Sequence, residues 1–76
     1  MVNPIEFLRG AGDGTRVVIR YALHGEAESA TDALGYLSGT NQTHCVVATV
    51  RGLTTIAFAD VIAAKEVPPP PAPRPR

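Results

Sequence analysis

The chain has 76 residues, and its seven basic and seven acidic side chains give a formal charge of zero. This length allows one small domain with a thin hydrophobic core, and no apolar run reaches the ~18 residues that a membrane-spanning helix needs. The single cysteine excludes a disulfide framework and a four-thiolate zinc site, and the neutral charge disfavours nucleic-acid binding, which normally relies on an excess of Lys and Arg.

The N-terminal segment, residues 1–14, predicts a short helical turn followed by a flexible lead-in. Asn3 before Pro4 is typical of an N-cap and a first helical residue, and the glycines that follow would end the helix. A frayed terminus is the alternative. The segment lacks a basic leader followed by a long apolar run, so we expect no export signal and a cytoplasmic protein with a reduced thiol.

Residues 15–67 are predicted to form the folded domain, an SH3-like barrel of five short strands. Thr15–Leu23 alternates with period two, which puts Val17 and Ile19 on one face. A loop at residues 24–30 then leads to strands at 31–38, 44–50 and 53–58, a 3₁₀ turn at 59–61 and a last strand at 62–67. An amphipathic helix over Ala57–Glu66 is the alternative for the end of the domain, because Ala and Lys favour helix whereas the β-branched residues favour strand.

Turn signals and one glycine favour closure of these strands into a barrel. Residues 39–43 have turn chemistry, and Arg51-Gly52 predicts a two-residue hairpin turn. Gly35 inside the second strand predicts a bulge or a sharp bend, and curling the sheet covers most of its edges. An OB-like barrel is the alternative, although it usually has longer strands. The predicted core comprises Val17, Ile19, Leu34, Leu37, Val47, Ile56, Val61 and Ile62.

Residues 68–76 are predicted to be a disordered, proline-rich linker or tail. Six of these nine residues are prolines, which fix φ and donate no main-chain hydrogen bond. The segment therefore favours extended polyproline II, roughly 28 Å long at about 3.1 Å per residue. As a ligand for another protein's groove, it matches the PxxP pattern only loosely.

Three stretches resemble a known family: Thr15–Tyr21 (TRVVIRY), Thr31–Gly35 (TDALG) and Phe58–Pro69 (FADVIAAKEVPP). Together they are similar to the SH3-like N-terminal domain of certain actinobacterial GNAT-family acetyltransferases, over about residues 13–70. In that family a small barrel and a proline-rich linker precede the catalytic domain. The resemblance implies an accessory domain without acetyltransferase activity, since the glycine-containing loop that binds acetyl-coenzyme A has no counterpart here.

The histidines and the cysteine do not predict a reactive or metal site. His44 and Cys45 are neighbours on a strand, so they point to opposite faces, and we expect a buried thiol beside an exposed imidazole. These two residues and His24 do not have the sequence spacing of known metal-ligand motifs, so we do not expect them to form a metal site.

The aspartates are expected to have structural roles. Asp60 would open the 3₁₀ turn, and Asp32 would start a strand or pair across strands with Arg16 or Arg20. We therefore expect no catalytic residue, no cofactor and no enzymatic activity.

Apolar positions on both faces of the first and third strands predict a surface for another protein. We expect a non-catalytic interaction module that docks to a protein partner or to a catalytic domain, in cis or in trans, with a second copy of the chain as another candidate partner. A small nucleic-acid-binding barrel that uses Arg16, Arg20, Arg51 and Tyr36 is the alternative. Recognition of proline motifs by an SH3-type aromatic groove is disfavoured, because the chain has two Tyr, two Phe and no Trp. The candidate interaction residues are Val18, Arg16, Arg20, Tyr36, Val46 and Arg51.

Overall fold

A computed structural model describes residues 3–25 and 29–70. The elements are α1 (Pro4–Gly10), β1 (Arg16–Leu23), β2 (Ser29–Thr40), β3 (His44–Thr49), β4 (Gly52–Ala57), a 3₁₀ turn (Phe58–Asp60) and β5 (Val61–Glu66). The predicted all-β fold with five strands is confirmed. The alternative helix over Ala57–Glu66 is wrong, because the 3₁₀ turn and β5 occupy that stretch. Neither helical element in the described ranges is long and apolar enough to cross a bilayer.

The five strands form one antiparallel sheet in the order β4-β3-β2-β1-β5. The register shifts between Arg20 and Tyr21 where β1 meets β5, and between Leu37 and Gly39 where β2 meets β3. Such irregularities increase local twist and bend the strand that carries them. The sheet is therefore curved into a barrel-like shape, and within the described ranges β4 and β5 are its two edge strands.

The start of β2 and the turn between β3 and β4 are two of the boundaries that differ from the sequence-based prediction, because strand partners decide them. β2 begins at Ser29 instead of residue 31, since Ser29 pairs with Leu23 and the next residue pairs with Ala22. The hairpin turn between β3 and β4 lies at Val50-Arg51, one residue earlier than predicted. Gly52 has a φ of +121° and already pairs with Thr49.

Gly35 permits a close approach between β2 and β3. A Cβ atom at this position would lie 2.1 Å from the carbonyl oxygen of Ala48, far inside contact distance. The predicted bulge lies beyond it, at the register shift between Leu37 and Gly39. Gly35 therefore allows β2 and β3 to pack closely, because it has no side chain at this crowded point of the curved sheet.

The buried core combines residues from every strand except β5 with one residue of α1 and one of the 3₁₀ turn. It consists of Leu8, Val17, Ile19, Ala33, Leu37, Cys45, Val47, Ile56 and Phe58. Five of the eight predicted core residues are confirmed: Val17, Ile19, Leu37, Val47 and Ile56.

Leu34 and Ile62 were wrongly predicted to be buried. On β2 the inward positions are Ala33, Gly35 and Leu37, so Leu34 lies on the opposite face. On β5 the register shift pairs Val61 with Tyr21, and Val61 packs against the core while Ile62 is exposed.

The N-terminal segment is tied to the sheet by its helix and by the residues after it. Asn3 caps α1, its Oδ1 accepting a 2.8 Å hydrogen bond from the Ile5 amide, and Leu8 is completely buried. The segment after α1 also bonds to the sheet, because the Gly14 amide donates to the Leu37 carbonyl at 2.7 Å; the flexibility predicted for this lead-in stays a prediction.

The last described residues continue from β5 onto the surface. The Val67 amide donates to the Arg16 carbonyl at 2.9 Å, which extends the ladder between β1 and β5 by one bond. Pro68–Pro70 have no regular secondary structure. The rest of the predicted disordered tail, residues 71–76, lies outside the described residues.

Candidate interaction surface

The face of the sheet opposite the core, called the outer face here, carries most of the predicted interaction residues. On β1 the alternation buries Val17 and Ile19, and it turns Arg16, Val18 and Arg20 outward. Their cross-strand partners on β2 are also outward: Tyr36 beside Arg16, Leu34 beside Val18, and Asp32 beside Arg20.

Large apolar side chains are exposed on this face. Leu34 is 47% exposed, Tyr36 is 42% exposed and Leu53 is 72% exposed. Tyr36 pairs with Ala48, which in turn pairs with Leu53, so these residues form one row across three strands. Val50, at the tip of the adjoining hairpin, is fully exposed.

Four of the predicted interaction residues line two separate grooves on the outer face. The Tyr36 groove has a volume of about 360 Å³ and is lined by Arg16, Leu34, Gly35, Tyr36, Ala48, Thr49, Val50 and Pro70. The Val18 groove has a volume of about 250 Å³ and is lined by Val18, Arg20, Asp32, Ala63, Ala64 and Lys65. The surface is therefore not one continuous cleft.

The remaining two predicted residues lie further away. Val46 lines a separate groove with His44 and Thr55. Arg51 lines a fourth, which adjoins the Tyr36 groove because Leu34 and Val50 line both. The structure thus brings Arg16 and Tyr36 together, and Val18 and Arg20 together, but it does not gather all six residues.

Two of the outer-face cations already have partners within the chain. Arg20 Nη1 lies 3.4 Å from Asp32 Oδ1, which confirms the cross-strand pairing with Arg20 and not the one with Arg16. Both side chains of this pair are about half exposed, so the pair contributes only about 0–1 kcal/mol. Arg16 donates instead to the carbonyl of Pro68.

Asp60 contacts a residue that its sequence position did not suggest. His24 Nε2 lies 2.7 Å from Asp60 Oδ1, although 36 residues separate the two. Asp60 ends the 3₁₀ turn instead of opening it. Only the placement of β5 beside β1 brings these residues together, so no local signal could have indicated the pair.

The cysteine has the inert setting that the sequence predicts. Cys45 is completely buried, and desolvation by burial raises the pKa of its thiol. His44 points to the other face, where its Nδ1 lies 2.7 Å from Thr43 Oγ1. Across residues 3–25 and 29–70, no three His, Cys, Asp or Glu side chains are grouped so that they could hold a metal ion.

Sequence reasoning missed several contributors to the surface, among them Leu34, Leu53 and Pro70. Leu34 was assigned to the core, although alternation about the small inward residues Ala33 and Gly35 could have indicated that it faces outward. Pro70 was assigned to a linker, yet it lines the Tyr36 groove. Nothing in the local sequence indicates that contact, because it depends on where β5 ends.

Comparison with known proteins identifies the family. Residues 12–65, which include all five strands except the end of β5, match the model of the Rv0428c N-terminal Sm-like domain. No curated protein and no solved structure gives a significant match. The family description says Sm-like, so the small barrel-type fold is confirmed, while the SH3-like assignment and the association with an acetyltransferase stay predictions. Because the match spans more than half of the chain, this protein belongs to the family of Rv0428c N-terminal Sm-like domains.

Proposed function

We propose that the chain is a non-catalytic interaction module that docks to another protein domain through the outer face of its sheet. The row formed by Tyr36, Ala48 and Leu53, with Leu34 beside it on β2, carries the proposal. Neighbouring strands are about 4.8 Å apart, so Tyr36 and Leu53 lie on the order of 10 Å from each other across the sheet. Apolar side chains clustered in this way are typical of protein contact sites.

The partner that we propose is a GNAT-family acetyltransferase catalytic domain, in cis or in trans. The resemblance of Thr15–Tyr21, Thr31–Gly35 and Phe58–Pro69 to the accessory domain of such enzymes supports this partner. The family description supports it as well, because it calls the domain of Rv0428c N-terminal and so places that domain at the start of its protein.

The chemistry of the described residues agrees with an accessory role. The thiol of Cys45 is buried and protonated at neutral pH, and the nearest imidazole in sequence points away from it. Asp32 and Asp60 are engaged by Arg20 and His24. We therefore propose that the domain contributes contacts to a partner and carries out no reaction itself.

Binding to a GNAT catalytic domain, taken from a protein that also carries a domain of this family, tests the proposal. We expect Leu34→Ser and Leu53→Ser to weaken binding at least tenfold in calorimetric titration. Ile62→Ser is the matched control, because Ile62 is 52% exposed but lines a different groove with Ala22 and Leu23. Equal affinity for all three variants would contradict docking through the row of Tyr36, Ala48 and Leu53, and no binding by the unmodified chain would exclude this partner.

A small nucleic-acid-binding barrel is the second candidate. One observation favours it: Arg16 and Arg20 flank Val18 on the outer face, and Lys65 pairs with Val18 from β5. The bonds of these arginines to Pro68 and Asp32 reduce the number of donors free for phosphate. Anisotropy titration with single-stranded RNA and DNA separates the two functions, because phosphate contacts give binding that weakens steeply with salt. No binding at low salt would exclude the second candidate.

A further inference from the structure

The Tyr36 groove already has a proline-rich segment at its edge. Pro70 lines the groove together with Tyr36 and Val50, and the Arg16 guanidinium donates to the carbonyl of Pro68. The bond between Arg16 and Pro68 joins residues that lie 52 positions apart in the chain. These contacts indicate that the segment after β5 follows the surface of the sheet from its first residue.

The chemistry of the groove suits a polyproline II segment. Such a segment makes no internal hydrogen bonds, so its carbonyls need donors from outside, and its proline rings offer flat apolar surfaces. Sites that bind it combine an aromatic ring with an apolar groove. Tyr36 and Arg16 are direct cross-strand partners, which places an aromatic ring beside a guanidinium donor.

The shape of the groove suits a proline ring as well. Ala48 is the smallest outward side chain along it, and Gly35, which faces inward, adds only main-chain atoms, so there is depth between the larger Leu34 and Val50. Gly35 cannot carry a Cβ atom, because the Ala48 carbonyl oxygen would lie 2.1 Å away. Gly35 therefore marks a close approach of the main chains of β2 and β3 along the groove.

We propose that the Tyr36 groove is a binding site for proline-rich segments in the polyproline II conformation, and that Pro68–Pro70 of the same chain is its resident ligand. The small number of aromatic residues argues against a groove lined by several rings. This groove uses one ring, Tyr36, and adds the Arg16 donor.

The covalent connection favours the resident segment over a free peptide. The Val67 amide bonds to the Arg16 carbonyl, so the prolines start at the groove and have a high effective concentration there. A proline-rich segment from another molecule would bind well only after the resident segment leaves. The inference does not depend on the partner domain proposed above, because ligand and site belong to one chain.

The test uses the full chain in two forms, unmodified and with Pro68, Pro69 and Pro70 all replaced by Gly. The probe is a nine-residue peptide with the sequence PPPPAPRPR of residues 68–76. We expect it to shift the amide NMR resonances of Arg16, Tyr36 and Val50 in the glycine form. We expect at least tenfold weaker binding to the unmodified chain, because the resident segment competes.

Two groove variants and one control are made in the glycine form. Tyr36→Ala and Val50→Ser should each weaken peptide binding at least fivefold, and Val50 is fully exposed, so its replacement leaves the fold intact. Ile62→Ser should leave binding unchanged, because Ile62 lies outside the groove. A peptide with glycines in place of its prolines, but with both arginines kept, should not bind.

Three results would overturn the proposal. The first is a glycine form whose Arg16, Tyr36 and Val50 resonances do not respond to the peptide. The second is equal affinity of the unmodified chain and the glycine form, which would show that the resident segment does not occupy the groove. The third is a glycine-substituted peptide that binds as tightly as the proline-rich peptide. That result would show that binding depends on the charge of the arginines and not on the prolines. No partner domain is present in this experiment, so its failure leaves docking to a catalytic domain untouched.

Discussion

The two ends of the described chain pack on opposite faces of the same sheet. At the N-terminal end, α1 inserts Leu8 into the core, and Arg9 lies over the Phe58 ring at 5.2 Å. At the C-terminal end, Arg16 donates a hydrogen bond to the Pro68 carbonyl, and Pro70 lines the Tyr36 groove on the outer face. Burial makes the first contact part of the folding free energy, whereas the second is exposed enough to be exchanged for another ligand.

The two faces of β1 and β2 also differ in burial. Inward residues such as Val17 and Leu37 have almost no solvent exposure, so their replacement should cost stability. Outward residues such as Leu34 and Tyr36 keep nearly half of their surface exposed, so their replacement should cost binding and little stability.

Gly35→Ala should have the largest effect, because the main chains of β2 and β3 leave no room for a side chain at this position. The new Cβ atom would meet the Ala48 carbonyl oxygen at 2.1 Å, and main-chain atoms of β3 would have to move. We expect a loss of about 3 kcal/mol of unfolding free energy, at the upper end of overpacking effects. Urea denaturation measures it. Gly12→Ala is the control, since nothing lies within 4 Å of a Cβ there. Equal stability of the two variants would contradict the close approach of β2 and β3.

Leu8→Ala tests whether α1 belongs to the core. Its side chain is completely buried, so we expect a loss of about 2–3 kcal/mol of unfolding free energy. Leu53→Ala makes the same chemical change on the outer face, where the residue is exposed, and should change stability by less than about 0.5 kcal/mol. Similar losses from both leucines in urea denaturation would show that the inner and outer faces do not differ as described.

Cys45 predicts how stability depends on pH at the alkaline end. Burial raises the pKa of this thiol in the folded state, so the folded chain keeps its proton where the unfolded chain has already lost it. The resulting stability is present below the ordinary cysteine pKa of about 8.5 and is lost as the pH rises through and above that value. The free energy of unfolding should therefore fall more steeply with pH above this point in the unmodified chain than in Cys45→Ala. Parallel pH profiles would argue against a buried thiol.

The smallest effect is expected for the ion pair on the outer face. Asp32→Asn removes the partner of Arg20, and because both side chains are about half exposed the loss should be below about 1 kcal/mol. High salt should reduce the difference between the variant and the unmodified chain, because it screens exposed charges. A loss of several kcal/mol in thermal or urea unfolding would mean that this part of the outer face is more buried than the structure shows.

The local sequence pattern was sufficient to predict the type and approximate position of the secondary-structure elements. The period-two placement of Val17 and Ile19 predicts β1, and Asn3 before Pro4 predicts the start of α1, because strand period and helix capping are short-range properties. The inert pair of His44 and Cys45 followed from alternation alone. What pattern could not give was the face of Ile62, since a register shift of one residue reverses the side to which a strand residue points.

The candidate site was determined by tertiary structure more than by sequence. The sequence by itself named Arg16 and Tyr36 as surface residues, but their meeting in one groove requires β1 and β2 to pair in the observed register. The arrival of Pro70 at that groove requires β5 to return beside β1. The sequence alone therefore determined a small all-β domain with a proline-rich end. Only the tertiary structure decided that this end lies on the sheet, because contacts between distant residues depend on strand order and register, which no short stretch of sequence encodes.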